Sequence, residues 1–171
     1  PSGCAFGHKG PAIVGIEPDA WPLLAALNSR VVSYLLSLGL GTAEAEGGAG
    51  ANSYEVGLVQ RIPVPRALPA DEELAEDSKR AWAASATAGL RDETSAIFVS
   101  PVAPLELQAS LDATWTALVV RDQEGLQKYV EAQEAIDRRT CKLYGLTAQD
   151  WVEIESNIGD VGHQGHSKAA A

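Results

Sequence analysis

The chain has 171 residues, 46% of them apolar and 21% charged, ordinary globular usage that excludes wholesale disorder. Two cysteines, Cys4 and Cys141, stand far apart without a CxxC partner, which excludes a disulfide scaffold and a cysteine-based zinc site. The net charge of −10 is uneven: residues 1–66 carry four basic and five acidic side chains, residues 67–171 nine and eighteen. Acidic surface repels phosphates, so any nucleic-acid contact belongs in the first third.

In chain order, Ala12-Ile13-Val14-Gly15-Ile16 between Pro11 and Pro18 reads as a short buried strand. Asp19 offers an N-cap, and Pro22 falls in the first turn of a helix. From Trp21 to Leu38 the apolar positions recur at helical spacing until Gly39 and Gly41 end the run. The Val31–Leu40 stretch is too short to span a bilayer, and no charged segment followed by an apolar one opens the chain. The expectation is a soluble, cytoplasmic protein with no membrane partner.

Residues 41–51 are small and glycine-rich and read as a loop. Tyr54 to Gln60 begins with alternation and reads as a strand carrying a bulge at Gly57; Ile62-Pro63-Val64-Pro65 must be extended. Asp71 to Phe98 is helical in composition, with acids in its first turns and a break expected at Gly89. The next helix shows one apolar stripe through Leu107, Leu111, Trp115 and Leu118. A weak point near Gly125 precedes a second stripe through Leu126, Tyr129, Val130, Gln133, Ile136, Thr140 and Leu143. Glu134 and Arg138 stand one turn apart and can pair. Gly145 suits a left-handed helix stop. Thr147 and Asp150 form a capping-box-like pair, with Leu146 and Trp151 at the positions of a hydrophobic staple. Residues 159–171 carry no core-forming pattern and read as a disordered tail.

The fold class expected is α+β: a small sheet with one long packed helix, followed by an all-helical spacer. The domains expected are a recognition-like α/β part at 1–70, the spacer at 71–158 and the tail.

Known active-site patterns are missing. His163-x-x-His166 lies in the tail, with no helix to fix a metal geometry. There is no Gly-x-Ser-x-Gly elbow, neither cysteine has a histidine near it in sequence, and Gly3 to Gly10 fits neither phosphate-loop spacing. Cys141 reads as a small buried hydrophobe. No catalytic residue and no metal ligand is assigned.

Two segments carry a resemblance. Leu23-Leu24-Ala25-Ala26-Leu27-Asn28-Ser29-Arg30, followed by Tyr54-Glu55-Val56-Gly57-Leu58-Val59-Gln60-Arg61-Ile62-Pro63-Val64-Pro65, is one. Ala135-Ile136-Asp137-Arg138 with Leu143-Tyr144-Gly145-Leu146-Thr147-Ala148-Gln149-Asp150 is the other. Together they resemble the target-recognition and spacer regions of adenine-specific DNA methyltransferases. The nearest kinds are PglX-type enzymes of the BREX and DISARM phage-defence systems and fused restriction–modification methylases. Such enzymes have a glycine-rich S-adenosylmethionine loop and an Asn-Pro-Pro-Tyr motif, and this sequence contains neither. The resemblance therefore implies a noncatalytic piece or remnant of a larger enzyme, with S-adenosylmethionine bound elsewhere in the parent protein. It implies double-stranded DNA as one partner, and the rest of the methyltransferase or other defence proteins as another.

Reading base edges needs Asn or Gln for adenine and Arg or Lys for guanine, projected from loops on a rigid scaffold. The candidates are Lys9, Asn52, Ser53, Tyr54, Gln60 and Arg61, with His8 beside Lys9. Arg61 is the leading DNA contact. Arg30 is open between an ion pair and a phosphate contact, Tyr54 serves equally as core, and Asn28 and Ser29 read as caps or packing. An acidic helical module that docks onto a protein partner, without DNA binding of its own, stands as the alternative.

Overall fold

The computed structural model describes residues 20–41, 56–89 and 108–158, and every described element is helical. Helix α1 spans Ala20–Leu27, α2 Arg30–Gly41, the short α3 Val56–Val59, α4 Glu72–Gly89, α5 Leu111–Tyr144 and α6 Ala148–Ile158. A 3-10 turn at Leu68–Ala70 leads into α4.

The expected α+β class is corrected: no strand exists among the described residues. The segment read as a strand at 54–60 contains α3, and the Ile62 N–H closes the turn after it onto the Val59 carbonyl at 3.2 Å. An isolated strand leaves its peptide groups without partners, whereas a helical turn satisfies them locally. Val59 and Ile62, three apart, both line a cleft with Leu23, Leu27 and Val32. The strand expected at 12–16, the Asp19 cap and the tail at 159–171 lie outside the described residues.

The single helix expected over 20–38 is two helices, broken at Asn28-Ser29. Short polar side chains bond to nearby backbone and so compete with helix continuation. Asn28 Nδ2 donates to the Leu24 carbonyl at 2.8 Å. Ser29 Oγ donates to the Ala26 carbonyl at 2.6 Å and accepts from the Val32 N–H at 3.3 Å. Ser29 therefore ends one helix and caps the next.

Helix α4 starts on Asp71, whose Oδ1 accepts from the Leu74 N–H at 2.8 Å, and it ends at Gly89 as the sequence suggested. It lies antiparallel to α5: Asp71 pairs with Arg139 near the end of α5, while Thr87 shares a cleft with Arg121. Helix α5 runs unbroken for 34 residues, about 50 Å, straight through the expected weak point at Gly125. Ser110 caps its start by accepting from the Ala113 N–H at 3.1 Å. Gly145 stops it at φ +69°, with the Gly145 and Leu146 N–H groups bonding back to the Lys142 and Cys141 carbonyls. Thr147 and Asp150 then make the reciprocal cap at the start of α6: the Asp150 N–H reaches Thr147 Oγ1 at 3.3 Å, and the Thr147 N–H reaches Asp150 Oδ2 at 2.7 Å.

One core joins these helices: Ala25 and Ala26 from α1, Leu68, Leu74 and Ala81 from the α4 region, and Ala132 and Ile136 from α5. Tyr129, Leu143 and Tyr144 close around it. Helix α2 meets α6, where the Tyr34 hydroxyl donates to Glu153 at 2.8 Å. No described helix is long and apolar enough to cross a membrane.

Candidate functional site

The α1–α2 break leaves backbone groups without intrahelical partners, as every helix terminus does. Side chains of α5 take up two of them. Gln133 Nε2 donates to the Asn28 carbonyl at 2.9 Å, and Asp137 Oδ1 accepts from the Arg30 N–H at 2.8 Å. These contacts span 105 and 107 residues of sequence. They join the two segments that carry the methyltransferase resemblance, Asn28-Ser29-Arg30 from the first and Asp137 from the second.

The Arg30 guanidinium is enclosed rather than projected. Its Nε stands 3.5 Å from Asp137 Oδ2, its Nη1 stands 3.5 Å from Glu155 of α6, and its carbon lies 6.0 Å above the Trp151 ring. Of the two roles left open for Arg30, the geometry supplies the ion pair. Asn28 and Ser29 act as caps at the break.

Asp137 is only 3% exposed. Burial pushes its carboxyl up to about 6, against the Arg30 N–H, the Arg30 charge and a Gln133 hydrogen bond, which all favour the ionised form. The second buried carboxylate, Asp71, ends on the other side of the usual range. Burial raises it too, but two-pronged hydrogen bonds from Arg139 at 2.9 and 2.7 Å and the Leu74 N–H outweigh that and hold it low. Arg139 also reaches Glu73 at 2.8 Å. Cys141 has its thiol pushed up to about 11 by burial and then by the Asp137 charge, so it stays protonated and unreactive.

Gln60 and Arg61 are exposed in the turn after α3, and Arg66 is exposed a few residues on. Beneath that turn lies the apolar cleft of about 180 Å³ that Val59 and Ile62 line. Lys9, His8, Asn52, Ser53 and Tyr54 lie outside the described residues, as does the His163–His166 pair. A second, more open cleft of about 410 Å³ between α4 and α5 mixes Arg80, Arg121 and Lys128 with Glu124 and Glu131. No three histidine, cysteine or acidic side chains among the described residues are placed to hold a metal.

No family model, curated protein or solved structure matches this chain. What can be said of its role rests on the joint between α5 and the α1–α2 break, and on the polar turn beside it. Neither Gln133 nor Asp71 stood out in the sequence as a joint-forming residue. The Asn28-Ser29 pair inside an apolar run was the available signal, because a break there needs partners from elsewhere.

Proposed function

We propose that this chain is a noncatalytic target-recognition and spacer segment of an S-adenosylmethionine-dependent adenine-N6 DNA methyltransferase, from a phage-defence or restriction–modification system. The observation that carries the reading is the direct union of its two resembling segments: the Arg30 N–H on Asp137 at 2.8 Å and the Gln133 amide on the Asn28 carbonyl at 2.9 Å. Segments that share a joint in space have a physical reason to occur together, in order, in one class of protein. S-adenosylmethionine and the flipped adenine belong to the rest of that enzyme. Here α5 acts as a strut, and the exposed Gln60-Arg61 turn, with Arg66, meets duplex DNA in the cytoplasm. Arg30 positions the break and does not touch the bases.

Duplex binding followed by fluorescence anisotropy across a salt series tests this. The expected result is an affinity that falls as salt rises, with a log–log slope reduced by about one in Arg61→Ala. Gln60→Ala is expected to narrow discrimination between duplex sequences while leaving that slope unchanged. An absence of duplex affinity at low salt refutes the reading. The exposed apolar shoulder of α5, with Leu111, Trp115 and Leu126 at the surface, favours a second reading, in which the acidic helices dock onto a protein partner. That module binds no DNA at any salt.

A further inference from the structure

We infer that Asp137 is a proton-operated latch on the α1–α2 break: charged, it holds both the Arg30 N–H and the Arg30 guanidinium against α5; protonated, it keeps the N–H and lets the guanidinium go. The inference stands apart from DNA binding and concerns the fold alone.

Its basis is a mismatch between two functions of one carboxylate. Oδ1 makes a close bond to the Arg30 N–H at 2.8 Å, which a neutral carboxyl oxygen also accepts. Oδ2 faces Arg30 Nε at 3.5 Å, too long for a strong charge-assisted hydrogen bond. Asp71 shows what a well-matched partner looks like in the same molecule, with Arg139 gripping it at 2.7 and 2.9 Å. The Arg30 guanidinium is moreover shared, since Glu155 of α6 draws its Nη1 at 3.5 Å and Trp151 lies beneath it.

The other groups around Asp137 are few. From α2 there is Arg30. From α5 itself come Gln133, which donates to it, Glu134, whose charge opposes ionisation, and Cys141, which is protonated. Glu134 is turned toward Arg138 at 3.6 Å. Helix α1 contributes only the Asn28 carbonyl, already taken by Gln133. From α6 there is Glu155, beyond Arg30. No histidine lies among the described residues, so a transition near pH 6 within them belongs to Asp137.

The sign follows from linkage. The folded carboxyl is pushed up to about 6, whereas an unfolded aspartate titrates near 3.8. Between those values the folded state binds the extra proton, so acidification from neutral strengthens the fold and rising pH weakens it, levelling off above the folded value. This is opposite in direction to the Asp71 pair.

The test is a wild-type NMR titration of the full chain between pH 4 and 8, paired with melting curves of wild type and Asp137→Asn. The Asp137 carboxyl carbon is expected to titrate near pH 6, and the Arg30 Nε resonance to move with the same midpoint. Wild type is expected to gain about 4 °C in Tm relative to Asp137→Asn between pH 7 and pH 5. A carboxyl that titrates below pH 4.5 overturns the latch, and so does an Arg30 resonance indifferent to that titration. Parallel melting profiles for the two proteins overturn it as well. Should Asp137→Asn not fold, the wild-type titration alone decides.

Discussion

The two halves of α5 share one helix and one kind of apolar periodicity, yet they have opposite environments. From Tyr129 to Tyr144 the helix buries Ala132, Ile136, Asp137 and Thr140 and receives partners from α1, α2 and the start of α4. From Leu111 to Leu126 only Thr114 is buried, and Leu111, Trp115 and Leu126 are 84%, 67% and 45% exposed. The stripe expected through Leu111 and Trp115 therefore does not face the described core. An apolar stripe marks where a helix is able to bury surface, and the neighbours decide whether it does.

Substitutions can break that contrast. The largest effect is expected at the packed end, where Asp71→Ala strips Arg139 of its two-pronged partner and α4 of its cap. A loss of about 3–5 kcal/mol is expected from urea unfolding at neutral pH. Because Asp71 titrates below the usual range, its contribution is present above pH ~3.9 and fades as pH drops through its folded value. The variant should accordingly lose its handicap in strong acid. Ile136→Ala, at 2% exposure, is expected to cost about 2–5 kcal/mol by the same measurement.

Thr140 sharpens the comparison from the other direction. Its hydroxyl is fully buried and has no hydrogen-bond partner among the described residues. Thr140→Val is expected to stabilise the chain by about 1 kcal/mol, and a destabilised variant would expose a partner for that hydroxyl. The smallest effect is expected at the open end. Trp115→Ala should shift stability by no more than about 0.5 kcal/mol, and a large loss there would mean that the exposed shoulder is covered in solution.

Much of the helix punctuation was legible in the sequence because it is local. Gly145, the Thr147–Asp150 pair and the Glu134–Arg138 ion pair each need only residues within one or two turns. What escaped depends on distance. The apolar rhythm runs on in three- and four-residue steps across Asn28-Ser29, so periodicity alone cannot see the break. Alternation at Val56, Gly57 and Leu58 fits a strand only if a neighbouring strand pairs with it. Gly125 costs about 1 kcal/mol in helix propensity, too little to interrupt a helix held against α4 over many turns. Of the residues expected to read DNA, Arg30 is held by Asp137 and Glu155, a constraint its own neighbours in sequence do not announce.

The joint at Asn28 and Arg30 also sets an order of assembly. A nascent chain that has not yet delivered Gln133 and Asp137 has nothing to complete the bend between its first two helices. The α4–α5 hairpin, closed by nearer residues, is ready sooner. The earliest-made helices are thus the last to be fastened, and a truncation short of residue 133 leaves them unfastened for good.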